Sequence, residues 1–176
     1  MRFASLGLLL LTLSSCSKDS EGAGGDHMTA TDVGDALDER AIERGILPDL
    51  NNLVFAGRFE TRSELGTDKF CAVDNGSGTY KIGVLAVFGP ESKCEGQGSA
   101  KIEGEKVQIT LAGKGNCSFD AEYDGVELRF PGGVGEECES YCTSRASLSG
   151  TSYFMVEEGD DGARRALGRD IERLCD

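Results

Sequence analysis

The chain has 176 residues, in which 31 Asp and Glu outnumber 18 Lys and Arg and give a formal net charge of −13. This length suits one domain rather than two. Nucleic-acid affinity comes mainly from basic side chains that displace counterions, so the charge argues against a nucleic-acid partner. The apolar share of 39% excludes a wholly disordered acidic chain.

The first fifteen residues have the pattern of a secretory leader. Met1-Arg2 is a short basic start, Phe3 to Leu13 is an apolar run, and Ser14-Ser15 supplies small residues. The run is too short to span a hydrocarbon core, which needs about 20 apolar residues. We therefore predict that residues 1–15 are a signal peptide that is removed on export.

The end of this leader, Leu13-Ser14-Ser15-Cys16, resembles the lipobox of bacterial lipoproteins. In that class the cysteine becomes the new N-terminus and carries a diacylglycerol on its thiol and an acyl chain on its amine. The resemblance implies lipidation of Cys16 and a covalent membrane anchor at the cell envelope. Ser17 stands where an Asp would signal inner-membrane retention in the enterobacterial sorting pattern, which favours the outer membrane. The alternative is a reactive or disulfide-forming thiol at Cys16.

After the leader, the pattern predicts a tether and one domain. Residues 16–30 hold the lipidated cysteine and a Gly-rich polar segment without apolar periodicity, which is typical of a flexible linker. This segment contains His27, the only histidine of the chain. Fully extended, it reaches about 50 Å, so we expect the domain at 31–176 to rotate freely above its anchor.

An amphipathic helix is predicted at each end of this domain. Apolar residues recur at helical spacing between Asp32, which can cap the start, and Gly45, which can end the helix. A second helix is predicted from Ala163 to Cys175, where Leu167 and Ile171 belong to one apolar stripe.

Residues 51–156 show alternation of apolar and polar residues with a period of two, broken by Gly, Asn and Asp. This pattern predicts about seven to nine strands. Successive hairpins make a mainly β antiparallel meander, which closes into a small barrel or folds into a sandwich. We favour the barrel.

Two hairpins are specific enough to predict a register. A Glu103-Gly104 loop places Ile102 opposite Glu105, Ala100 opposite Val107 and Gly98 opposite Ile109. An Asp124-Gly125 loop of type I′ places Tyr123 opposite Val126, Ala121 opposite Leu128 and Phe119 opposite Phe130. In both hairpins one face is mainly apolar on both arms, which supports the strand assignment.

The remaining cysteines are an even six, which predicts three disulfides in an exported chain. They are Cys71, Cys94, Cys117, Cys138, Cys142 and Cys175. Sequence does not choose among the pairings, although Cys94 and Cys117 share the inward face, which favours a bridge between them. Zinc-like spacing and a Cys-x-x-Cys motif are both absent, so we predict no metal and no cofactor.

No catalytic residues stand out. Nucleophilic systems of the Ser-His-Asp or Cys-His type need a rigid imidazole, and the predicted domain has none. Paired carboxylates hydrolyse glycosides without histidine, but 31 acidic residues identify no particular pair. We therefore predict a noncatalytic binding or assembly module, and keep a histidine-free carboxylate hydrolase as an alternative. Arg145 is a candidate for binding an anionic group, because its rigid guanidinium lies in a cysteine-fixed turn.

One short motif suggests a partner. Ser149-Gly150-Thr151-Ser152-Tyr153 resembles the Ser-Gly-x-x-Tyr motif of the membrane-bound lysozyme inhibitors, which are lipid-anchored, disulfide-linked β-barrel proteins whose motif loop enters the lysozyme cleft. The resemblance implies that Ser149, Gly150 and Tyr153 contact the enzyme or shape the loop, and that the negative charge steers a cationic lysozyme. The chain departs from that family in its length, in its six cysteines and in the Phe154-Met155-Val156 segment after the motif. A lysozyme or another envelope protein is thus the predicted partner, beside the membrane.

Overall fold

The computed structural model describes residues 30–50 and 52–176. The predicted leader at 1–15, the lipidation site Cys16 and the tether with His27 lie outside the described residues and stay predictions. The strands are β1 Gly57–Ser63, β2 Gly66–Asp74, β3 Thr79–Val87, β4 Lys93–Glu103, β5 Lys106–Leu111, β6 Ser118–Tyr123, β7 Glu127–Arg129 and β8 Ser152–Glu158. The helices are α1 Ala30–Glu43 and α2 Asp160–Ala163, with a 3₁₀ helix at Glu136–Tyr141.

The strands form a closed antiparallel barrel, which confirms the mainly β meander and selects the barrel over the sandwich. Each strand pairs with its neighbours in sequence, and β8 returns to pair with β1. Because strand direction alternates, the β1–β2, β3–β4, β5–β6 and β7–β8 connections meet at one end, which we call the cap end. The β2–β3, β4–β5 and β6–β7 connections meet at the other end, where the chain also enters β1. We call this the entry end.

Aromatic rings fill the inside of the barrel. Buried rings in this core include Phe55, Phe59, Phe70, Phe119, Tyr123, Phe130 and Tyr153. Their centroids lie between 4.8 Å, for Phe119 and Phe130, and 6.2 Å, for Phe70 and Phe130, which are the separations of edge-to-face and tilted packing. Alanines such as Ala72 and Ala100 occupy neighbouring inward positions and make room for the rings. The inward positions are thus occupied by packed side chains.

The predicted N-terminal helix is present as α1, which ends at Glu43, two residues before the glycine predicted to end it. Gly45 has a φ of 66°, and the Ile46 N–H donates to the Ala41 carbonyl oxygen at 2.8 Å, which closes the helix. The helix begins at Ala30, before the predicted cap Asp32. None of the helices in the described ranges is both long and apolar enough to cross a bilayer.

The first predicted hairpin keeps its inward face but not its register. Ile102 lies opposite Val107, not opposite Glu105, so the loop is Gly104-Glu105 rather than Glu103-Gly104. Gly104 has a φ of 60°, which a residue without Cβ adopts at no steric cost, and this places it at the first loop position. Because side chains alternate with a period of two, the two-residue error leaves the same residues facing inward.

The second hairpin shows the same two-residue error. Tyr123 lies opposite Leu128, not opposite Val126. The Asp124 carboxylate accepts two backbone N–H groups of the turn, at 2.9 and 2.8 Å, and Gly125 has a φ of 95°. The aspartate therefore caps the turn and lengthens the loop beyond the predicted two residues.

The predicted C-terminal helix from Ala163 to Cys175 is wrong. Helix α2 ends at Ala163, and residues 164–176 form a sequence of turns that we call the C-terminal strap. The strap lies flat on the outer face of β2 and β3, where it buries Cys71, Val73, Leu85, Val87, Ala163, Ala166, Leu174 and Cys175 together. The backbone at Leu174 approaches Gly83 so closely that no Cβ fits there. This contact favours a flat segment over a helix.

A buried carboxylate on β4 holds the strap. Glu95 accepts the backbone N–H groups of Arg169, Asp170 and Ile171 at 2.6, 2.9 and 3.2 Å, and the Lys93 ammonium lies 2.9 Å from it. Burial raises the pKa of Glu95, but the hydrogen bonds from Lys93 and the strap outweigh burial and hold the pKa below its ordinary value. The ionised form of Glu95 therefore stabilises the fold.

We expect Glu95→Gln to lower the free energy of unfolding by about 3 kcal/mol at neutral pH, because it breaks a buried ion pair that also accepts N–H groups. Since the folded-state pKa is lowered, this stabilisation is complete above the unfolded pKa of about 4.3 and is lost as the pH falls through the folded value. Urea unfolding of the wild type and the variant across this pH range should give stabilities that converge on acidification. Glu103→Gln changes an exposed glutamate of the same strand and is the control; equal losses in both variants would contradict the assignment.

Candidate functional site

The cap end of the barrel is covered by residues 131–151, which we call the cap. Two disulfides fix it, Cys94–Cys142 and Cys117–Cys138. The predicted bridge between Cys94 and Cys117 is therefore wrong. Both cysteines face inward as expected, but β5 lies between their strands, so each reaches a cysteine of the cap instead.

The third disulfide, Cys71–Cys175, joins β2 to the strap. All six predicted cysteines thus form bridges, and three bridges are present as predicted. Two of them fix the cap and one fixes the strap. A disulfide stabilises mainly by restricting the unfolded chain, typically by about 2–4 kcal/mol.

The cap contains a cleft of about 230 Å³ between its 3₁₀ helix and the loop at residues 146–149. The floor is apolar, with buried Val134 and Leu148. Ser149 borders the cleft and accepts the Val134 N–H through its hydroxyl at 3.3 Å. The half-cystines Cys138 and Cys142 belong to the walls, so disulfides fix the shape of the cleft.

Two glutamates give the rim of this cleft its charge. Glu136 and Glu139 line it and are exposed, and three-residue spacing in a 3₁₀ helix places them on the same side. Within residues 30–50 and 52–176, no basic side chain forms an ion pair with either one. On the barrel, by contrast, Glu60, Glu127 and Glu157 each have an arginine partner. The rim therefore carries uncompensated negative charge.

The structure brings three of the predicted binding residues into the cap. Ser149 lines the cleft, and Gly150 follows it with a φ of 70° and an N–H that donates to the Pro131 carbonyl oxygen at 2.8 Å. Arg145 is exposed immediately before the cleft loop and also has a φ of 70°, which is strained for a residue with a Cβ. The rim glutamates Glu136 and Glu139 were not predicted. The only signal for them was an acidic run around one cysteine, and their side-by-side placement depends on a 3₁₀ helix that has no sequence period of its own.

Tyr153 lies elsewhere, in the barrel core. It is fully buried, with ring centroids 5.9 Å from Phe70 and 5.2 Å from Phe130. It therefore cannot touch a partner, and only a role in shaping the loop is open to it. Burial raises the pKa of the Tyr153 hydroxyl well above its ordinary value, although the nearby Thr151 side chain lowers this pKa in part. No hydrogen bond of good geometry joins the two side chains, so the buried hydroxyl has no partner.

The cleft is not the largest concavity of the surface. An open groove of about 490 Å³ runs over the outer face of β5, β6 and β7. Lys106 and Arg129 there pair with Asp120 and Asp124, so much of its charge is neutralised. The cap cleft is the stronger candidate, because its walls are cross-linked and its carboxylates are unpaired.

Metal binding receives no support from the residues that the structure describes, among which no cluster of three or more His, Cys, Asp or Glu is placed to hold an ion. Comparison with protein families, curated proteins and solved structures finds no match to this chain.

Two tyrosines test whether the Tyr153 hydroxyl contributes to stability. We expect Tyr153→Phe to leave the free energy of unfolding within about 0.5 kcal/mol of the wild-type value or to raise it, because a buried hydroxyl without a partner is removed. Tyr123→Phe should cost about 1–2 kcal/mol, since that hydroxyl donates to the carbonyl oxygens of Val54 and Gly125, at 2.8 and 2.9 Å. Chemical denaturation compares the two, and a larger loss for Tyr153→Phe would contradict the placement.

Proposed function

We propose that this protein is a lipid-anchored, noncatalytic binding module of the cell envelope and that the cap cleft is its binding site. The observation that supports the proposal is that the barrel interior is filled with side chains, while the cap has a cross-linked, acidic cleft. A barrel that binds inside needs space among its inward side chains, and here aromatic rings occupy those positions. Binding then belongs to the outer surface.

The size and lining of the cleft favour one side chain of a protein partner over a free small molecule. Small-molecule pockets are typically about 300–1,000 Å³, and this cleft has about 230 Å³. Its apolar floor at Val134 and Leu148 suits the methylene stem of a lysine or arginine, while Glu136 and Glu139 suit the charged head. The net charge of −13 attracts a cationic partner over longer distances.

A lysozyme inhibitor is the second candidate function. The observation that favours it is the position of Ser149, the first residue of the motif, at the cleft. Lysozyme is a cationic protein, so the negative charge of the cap would attract it in the same way.

A carboxylate hydrolase remains an alternative without such support. Glu136 and Glu139 are both exposed, and burial is what commonly makes a carboxyl group a general acid near neutral pH.

The anchor is proposed from the sequence. Lipidation of Cys16 would attach the module to the envelope, with the outer membrane favoured by Ser17. Several acyl chains on one cysteine hold a protein stably, because each buried CH₂ adds about 0.8 kcal/mol.

Binding of a basic side chain is measured by adding N-acetylarginine amide to the ¹⁵N-labelled protein and following amide chemical shifts. We expect saturable shifts confined to the cap, because the guanidinium pairs with the unpaired rim carboxylates. N-acetylnorleucine amide, which has the stem without the charge, should give none. Glu136→Gln with Glu139→Gln should abolish the shifts, whereas Glu105→Gln with Glu122→Gln, which removes two exposed carboxylates of the larger groove, should preserve them. Shifts spread over all acidic surfaces would contradict a specific site.

The lysozyme candidate is tested by cell-wall hydrolysis in the presence of the purified protein. Inhibition should be saturable and should be lost in Ser149→Arg, which places a bulky cation in the cleft. Tyr153→Phe should inhibit normally, since Tyr153 is buried. Full lysozyme activity at high molar excess of the protein removes this candidate and leaves the binding module to be tested by the titration.

Lipidation is tested by mass spectrometry of the N-terminal peptide from membrane-extracted protein. We expect a peptide that begins at Cys16 and carries the mass of a diacylglycerol and an acyl chain. Cys16→Ala should leave the leader in place and the peptide unmodified. An unmodified Cys16 in native material would contradict the proposed anchor.

A further inference from the structure

The exposed large apolar side chains of the described residues are not spread evenly over the surface. At the entry end, or on the segment leading into it, lie Leu37, Ile46, Leu47, Leu50, Val54 and Val126. At the cap-end hairpins lie only Leu65 and Phe88, while Phe154 and Val156 are on β8 and Leu167 is on the strap. Six of these eleven exposed side chains therefore belong to the entry end or to the segment that leads into it, and the acidic cleft is at the opposite end.

The apolar end is attached to the barrel. Gly125 in the β6–β7 turn lies against Pro48, and a Cβ at Gly125 would come within 2.6 Å of the proline Cβ. Leu50 and Leu53 line a shallow groove with Ile102 and Gly104 of the β4–β5 hairpin. The segment after α1 is thus held on the turns of the entry end, and its exposed side chains have a defined position.

The chain outside the structure indicates what covers this surface. It joins α1 at Ala30, fourteen residues after Cys16, and α1 leads into the segment around Pro48 that lies on the entry end. If Cys16 is acylated, as the proposed function requires, the lipid anchor keeps the entry end within the combined length of the tether and α1 from the bilayer. A tether of this length raises the local concentration of the membrane surface about the domain to the millimolar range or above, so modest apolar contacts suffice for docking.

The charge next to the entry end indicates which kind of surface it can contact. On α1 and at the residue after it, the exposed acids Asp35, Asp38, Glu39 and Glu43 outnumber the exposed bases Arg40 and Arg44. Anionic lipid would be repelled by this excess of acids, and so would a second copy of the same acidic end. Zwitterionic phospholipid offers apolar burial without that repulsion.

We infer that the entry end docks on a zwitterionic phospholipid surface, and that the cap cleft consequently faces away from the membrane. The domain then has a fixed orientation above its anchor, in place of the free rotation that the tether alone predicts. A binding site opposite the membrane is accessible to a partner in the aqueous compartment.

The absence of tryptophan from the chain makes a clean test possible. The acylated protein, which begins at Cys16, is inserted into phosphatidylcholine vesicles, with and without brominated acyl chains, as one of three single-tryptophan variants. Leu50→Trp and Val126→Trp report on the entry end from two different segments, and Phe88→Trp reports on the cap end. Bromine quenches only a tryptophan that reaches the acyl region. We expect the brominated lipid to at least halve the fluorescence of both entry-end variants and to leave Phe88→Trp unchanged.

Further variants and lipids sharpen the outcome. Leu47→Glu combined with Val126→Trp should restore the fluorescence, and replacing half of the lipid with phosphatidylglycerol should weaken the quenching. Equal quenching at both ends, or none at either, in protein whose Cys16 is acylated by mass would overturn the docking alone. An unmodified Cys16 would overturn the anchor and the docking together. Entry-end tryptophans protected from aqueous acrylamide but not quenched by bromine would indicate a second copy or another protein on this surface, which also overturns the inference.

Discussion

Close packing of aromatic rings inside a closed barrel is the constraint on which the rest of this structure depends. Phe55, Phe59, Phe70, Phe130 and Tyr153 contact one another in the core at separations typical of aromatic pairs. A barrel of eight strands is just wide enough for its own side chains or for one small ligand, and here the side chains take that space. Recognition then falls to the outside of the barrel.

The cross-links are arranged to serve that outer surface. Two disulfides stiffen the cap, where irregular backbone forms the cleft, and the third holds the strap on β2 and β3 together with the Glu95 carboxylate. Ordering an irregular segment costs backbone conformational entropy. Such a segment lacks the regular ladder of hydrogen bonds that offsets this cost in a strand. Cross-linking is therefore placed where regular hydrogen bonding is scarce. The cleft owes its fixed shape to this arrangement rather than to secondary structure.

Much of the barrel could be predicted from sequence, because side chains alternate between the two faces of every strand. Period-two alternation identified the inward residues, including Ala100, Phe119 and Tyr123, and the turn glycines separated the strands. The predicted registers were off by two residues because the aspartate cap and the left-handed glycines decide which turn residues pair. Alternation with a period of two is the same before and after a shift of two residues, so it cannot reveal this error. Cysteine pairing failed for a different reason: whether β4 and β6 are neighbours is a property of the topology, not of either strand.

The cap and the strap were beyond prediction because neither has a period. Leu167, Ile171 and Leu174 have helical spacing, yet the strap buries only part of that stripe, since contact with Gly83 and Glu95 stabilises a flat path. Glu136 and Glu139 become neighbours only through three-residue spacing in a 3₁₀ helix. Functional residues on such segments are visible in a sequence only as composition, here as acids between cysteines.

The assignment of binding to the outer surface depends most directly on the absence of usable space inside the barrel, which xenon binding measures. Xenon under pressure occupies empty apolar cavities in protein crystals. Crystals of the protein pressurised with xenon should show no bound atom among Phe55, Phe70 and Tyr153. A well-occupied xenon site there, in a cavity large enough for an acyl chain, would contradict this assignment and favour a binding site inside the barrel.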